Sequence, residues 1–207
     1  MNFKKMKTQI RRGVFETNSS SVHSISIVKD SFNGSFPAKF TIDCNGEFGW
    51  EVDTFDDSSS KAAYLYQAIR YYPTFILHGK EKRNVNTDKE ILQNLMDKFI
   101  GNLESYGIEV DCKYRFTKIE SNEFESGKTY DYVVFVDENG KESEDYGYLD
   151  HGGQAKELVD YVLSSPENTI KFIFDERCFI ETGNDNEEGC VCDKDTNEET
   201  IIFEKGN

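Results

Sequence analysis

Glu16, Asn18, Ser19, Ser20, Ser21 and His23 lie close together near the start of the chain, so that a carboxylate, an amide, three hydroxyls and an imidazole share one short run. These groups suit acid–base and nucleophilic work. A hydroxyl becomes a useful nucleophile beside a base, and a partly desolvated imidazole stays neutral and able to take a proton. On this reading His23 is the acid–base group, Glu16 its partner, Ser21 the catalytic hydroxyl and Asn18 a ligand contact. The same letters also suit a turn whose Ser and Asn side chains bond their own backbone, with His23 a satisfied residue at the edge of the core. Within the stretch there is no Gly-x-Ser-x-Gly elbow, Ser-x-x-Lys pair or phosphate-binding glycine loop.

The elements that must position these groups are short. Val14-Phe15 closes one extended segment, Thr17 to Ser21 is made of turn formers, and Val22 to Val28 opens a strand. Side chains alternate along a strand, so Ser21, His23, Ile25 and Ile27 share one face and Val22, Ser24, Ser26 and Val28 the other.

Two further clusters and a lone tryptophan have the same potential. Trp50, in Glu47-Phe48-Gly49-Trp50-Glu51, is able to stack on a flat ligand or to anchor the core. Asp150-His151-Gly152-Gly153 precedes an expected helix, where free N–H groups favour anions and an acid beside His orients the imidazole; the same letters suit Asp150 as a helix cap and His151 as an exposed turn residue. In Thr182-Gly183-Asn184-Asp185-Asn186, Asn184 and Asp185 suit a hydroxyl-rich or nucleotide-like ligand, or a plain turn. Cys190-Val191-Cys192 lacks the second pair that zinc requires, so no metal is expected, and no residue pattern selects a cofactor.

Composition restricts the function classes. Among 207 residues, 39 are acidic and 24 basic, giving a net charge of −15, which opposes broad nucleic-acid binding. Lys4, Lys5, Lys7, Arg11 and Arg12 form a basic arm over residues 1–12, leaving 19 basic against 39 acidic residues in the remainder. Aromatic residues reach 14%, which argues for a packed core despite the 30% charged fraction. Five cysteines without a framework spacing fit reduced thiols in a cytosol. Neither a signal peptide nor a membrane span is read, so the expectation is a soluble, cytoplasmic protein.

The periodicities predict a single α+β domain over residues 1–207, a mainly antiparallel sheet with about three helices at 58–72, 87–106 and 154–163. Asp56-Asp57-Ser58 caps the first helix, Ala62, Leu65 and Ile69 form its stripe, and Pro73 stops it. Thr87-Asp88-Lys89-Glu90 reads as the capping box of the second. Strands are expected at Ala38–Cys44, Ile108–Ile119, Tyr130–Val136, Thr169–Phe174, Cys178–Glu181 and Thr200–Phe203, with an acidic loop at 187–199.

Four motifs taken together carry a resemblance: Arg12-Gly13-Val14-Phe15-Glu16-Thr17-Asn18-Ser19-Ser20-Ser21-x-His23-Ser24, Glu47-Phe48-Gly49-Trp50, Tyr148-Leu149-Asp150-His151 and Thr182-Gly183-Asn184-Asp185-Asn186. The chain resembles a family of uncharacterised proteins from phages and prophages of Firmicutes. It departs from that family after the Asp-His pair, where Gly152-Gly153-Gln154 stands in place of Gln-Ser. The resemblance implies an accessory protein acting on host or defence machinery in the cytoplasm of an infected or lysogenic bacterium. Two functions then follow as expectations. In the first, Glu16, His23, Trp50, Asp150, His151, Asn184 and Asp185 meet in a polar pocket for a small nucleotide-like or anionic ligand. In the second, the acidic surface makes the chain a noncatalytic inhibitor of a host protein, of the anti-CRISPR or nucleic-acid-mimic type.

Overall fold

The computed structural model describes residues 21–49, 51–76, 84–123, 127–142, 147–150, 155–184 and 200–204. In chain order the elements are β1 (Ser21–Val28), β2 (Lys39–Ile42), β3 (Glu47–Phe48), β4 (Asp53–Phe55), α1 (Ser58–Ile76), α2 (Val85–Glu104), β5 (Glu109–Cys112), β6 (Phe116–Glu123), β7 (Thr129–Val136), β8 (Tyr148–Leu149), α3 (Ala155–Val162), α4 (Pro166–Phe174), β9 (Phe179–Asn184) and β10 (Thr200–Glu204). The chain is an α+β fold. Its largest sheet is antiparallel, in the order β10-β1-β9-β4, and β6 and β7 form an antiparallel pair. Two small ladders, β2 with β5 and β3 with β8, are parallel. Among the described residues no helix is long and apolar enough to cross a membrane.

β1 is buried along its whole length, on both faces, rather than on one face only. Its Ile25 and Ile27 join a single cluster of buried side chains that takes in α1, α2, α3 and α4. α1 begins as its letters predict. Asp57 accepts from the Ser60 N–H through its carboxylate at 2.9 Å and from the Lys61 N–H through its carbonyl at 3.1 Å. Ala62, Leu65 and Ile69 are buried, but so are Lys61 before them and Tyr64, Tyr66 and Gln67 between them, so α1 is a core helix rather than an amphipathic one.

Four other expectations are corrected. Pro73 does not stop α1, which runs on to Ile76; a proline so near a helix end removes one hydrogen bond without ending the element. α2 starts before the Thr87 box because Asn84 caps it, its side chain accepting from the Asn86 N–H at 3.1 Å. Ile108–Ile119 is two strands, β5 and β6, broken by a turn after Cys112. Thr169–Phe174 is not a strand but most of α4, a fourth helix. Ser165 caps α4, accepting from the Asn168 N–H at 3.1 Å, and Pro166 fills the first turn, where its missing N–H costs nothing.

Candidate functional site

The register of the main sheet sets the site. Ser21 stands opposite Asn184, Val22 opposite Gly183 and His23 opposite Thr182, so Ser21, His23 and Thr182 share one face at the start of β1. Thr182 also stands opposite Asp53 of β4. β3 and β8 arrive at the same place. Phe48 pairs with Leu149, and the Phe48 carbonyl accepts from the Asp150 N–H at 2.9 Å. Gly147 makes this approach possible. It adopts φ +55°, and a Cβ there would lie 2.2 Å from the Gly46 carbonyl oxygen.

His23 ties the stretches together. It is 1% exposed, with Nε2 3.0 Å from the Gly49 carbonyl and Nδ1 3.0 Å from the Tyr64 hydroxyl. A carbonyl only accepts, so Nε2 carries the proton and Nδ1 accepts from the Tyr64 O–H. In the neutral ring this arrangement selects one tautomer. Acid–base work by His23 would require one of these bonds to be given up. Burial raises the Tyr64 phenol well above its ordinary range, which keeps it a donor. Phe48 packs edge-on against both Tyr64, at 4.8 Å between ring centroids, and Phe55, at 5.1 Å, and the Tyr64 ring lies tilted 5.8 Å from the imidazole.

Hydroxyls close the remaining gaps. Ser21 Oγ donates to the Asp150 carbonyl at 3.3 Å, and Thr182 Oγ1 donates to the Glu51 carbonyl at 2.6 Å. At the rim, Tyr148 is 39% exposed, and its phenol is held above its usual range by partial burial first and then by the carboxylates of Glu47, Glu51 and Asp150. On the other face of the sheet, Ser24 and Glu181 stand opposite one another and are buried.

Of the residues singled out in the sequence, Ser21, His23 and Asp150 come together and Asn184 is paired with Ser21. Glu16, Asn18, Trp50, His151 and Asp185 lie outside the described residues. Tyr64, Gly49 and Thr182 were not assigned roles from sequence. Tyr64 is hidden inside a helix that reads as packing, and Gly49 and Glu51 act through backbone carbonyls, which no side-chain pattern reports. Ser58-x-x-Lys61 has the spacing of a serine–lysine pair, yet Lys61 Nζ donates to the carbonyls of Asp175 and Cys178, each at 2.8 Å. Among the described residues no group of three or more His, Cys, Asp or Glu is placed to hold a metal ion. No family model, curated protein or solved structure matches the chain.

Proposed function

We propose that the chain is a phage-type intracellular accessory protein that binds a small, nucleotide-like ligand at the junction of β1, β3, β8 and β9. The observation that carries the reading is the convergence itself: Ser21 bonds Asp150, 129 residues away in sequence, while His23 bonds the Gly49 carbonyl and pairs across the sheet with Thr182. Ser21, His23 and Thr182 are themselves buried and hydrogen-bonded, so through strands and a core helix rather than loops they hold in place the rim beside Glu47 and Tyr148, where a ligand would be met. His23 acts in this reading as a positioning residue, holding the Gly49 backbone. The carboxylates around Tyr148 favour a ligand that presents N–H donors, such as the amino edge of a base, over a simple anion.

The test is native mass spectrometry of the full chain against a panel of nucleosides and nucleoside mono- and diphosphates. The expected result is one adduct per chain, weakened at least about tenfold, roughly 1.4 kcal/mol, in a folded His23→Ala variant. Absence of any adduct, together with a host protein that co-purifies stoichiometrically through the acidic surface, would replace this reading with that of an acidic inhibitor.

A further inference from the structure

A cleft runs from the rim of this junction past the start of α1, and two adjoining cavities make it up. The nearer, of about 200 Å³, is lined by Glu47, Phe48, Phe55 and Ala63, and Glu47 is the β3 residue paired with Tyr148 at the rim. The farther, of about 450 Å³, is lined by Thr41, Lys113 and Tyr114. Asp43, Asn45 and Ser59 line both and so mark where the two meet. Together they have the size of a small-molecule site. The chemistry changes along the cleft. At the near end the Phe48 and Phe55 rings and Ala63 give an apolar surface beside the Glu47 carboxylate, which suits a flat heterocycle that presents an N–H donor. In the middle a carboxylate, an amide and a hydroxyl suit the hydroxyls of a sugar, and Asp43 is steadied there by accepting from the Asn45 N–H through Oδ1 at 3.0 Å. At the far end Lys113 is the only cation among the described residues that line either cavity. Its Nζ lies 5.4 Å from the centre of the Tyr114 ring. It forms no ion pair with a described residue, whereas Lys39, Lys118, Lys156 and Arg177 each sit on a carboxylate. An ammonium so placed suits a phosphate.

We propose that the cleft binds a nucleoside 5′-monophosphate with an amino-bearing base, the base at Glu47, the sugar at Asp43 and Asn45 and the phosphate at Lys113, an assignment that rests on the nucleotide-like ligand proposed for the junction and gives it an orientation. The reverse orientation would set the phosphate against Glu47 and leave the base amino group beside Lys113, with repulsion at both ends. A single cation at the far end matches one phosphate rather than a chain of them.

The experiment is calorimetric titration of the full chain with adenosine, cytidine, their 5′-monophosphates, and the 5′-monophosphates of inosine and uridine, whose bases carry an oxo group in place of the amino group. The expected result is that the monophosphate of adenosine or cytidine binds at least about tenfold tighter than its own nucleoside and tighter than its oxo counterpart. In Lys113→Gln the gain from the phosphate is lost while nucleoside binding is kept. Lys98→Gln, which removes the same charge from the exposed side of α2, keeps the gain. Glu47→Gln narrows the preference for the amino-bearing base. A nucleoside that binds wild type as tightly as its monophosphate, or a phosphate gain that survives Lys113→Gln, would overturn the orientation and leave the nucleotide-like ligand standing. Binding of none of the six compounds would overturn both. Lys113 is exposed in a turn, so its variant is expected to fold, and the wild-type comparison of nucleoside with monophosphate decides without it.

Discussion

Gly147 and His23 carry constraints that single substitutions expose. At Gly147 both the positive φ and the Gly46 carbonyl exclude a side chain, whereas at Gly107 and Gly140 φ is positive but a Cβ would meet nothing within 4 Å. Gly140→Ala and Gly107→Ala should therefore each cost about 1 kcal/mol, the strain of the left-handed region alone. Gly147→Ala should cost about 3 kcal/mol or more, because the clash is with backbone that has no room to relax. Denaturant titration of the three variants checks the contrast. His23→Ala should cost about 3–5 kcal/mol, since it leaves the Tyr64 hydroxyl and the Gly49 carbonyl unpaired in a buried cavity; His23→Gln, able to donate to one and accept from the other, should lose clearly less. Equal losses for the two variants would show that ring volume, not hydrogen bonding, matters at this position. At this scale the sequence was partly legible. His23 and Ser21 stood out by type, but their partners are a tyrosine within a helix and carbonyls that every residue has.

At the scale of elements, Lys61 joins α1 to the turn between α4 and β9 by donating to two carbonyls, and Ser165 starts α4. Lys61→Met should cost about 1–3 kcal/mol by removing the donor to two buried carbonyls, of which that of Asp175 keeps the Cys178 N–H, and Ser165→Ala about 1 kcal/mol as a lost cap. Both are measurable as shifts in the denaturant midpoint. The same elements show where periodicity fails. Thr169 to Ile173 are all buried, so the helical stripe that would separate α4 from a strand is erased, and Ile170, Phe172 and Phe174 read as alternation. The deciding letters are Ser165-Pro166-Glu167, a cap, a proline in the first turn and an acid, which lie just before the apolar run. α2, by contrast, was legible because Leu92, Met96, Phe99 and Leu103 face the core while Asp97 and Lys98 face water. The pairing of β3 with β8 was not legible, since two-residue parallel strands have no sequence pattern of their own.

For the whole molecule, titration of the buried helix α1 sets the response to alkali. Burial raises the Tyr64 and Tyr66 phenols, so the stability they confer is present below the unfolded value near 10 and is lost as pH rises above it. Lys61 acts in the opposite sense. Burial lowers its pKa, so the cost of its charged form fades as pH rises toward 10.5. Stability should therefore be lost steeply above about pH 10, with Lys61 opposing the loss only up to that point. Tyrosinate absorbance should show Tyr64 and Tyr66 ionising only as the chain unfolds, not in a simple titration with exposed tyrosines. The convergence of four distant stretches on His23 is the claim from which the rest follows, and NMR of the His23 imidazole tests it most directly. The account predicts a single Nε2–H tautomer whose proton exchanges slowly and shows a nuclear Overhauser effect to Gly49. A ring protonated at Nδ1, or one averaging between tautomers with a rapidly exchanging proton, would contradict it.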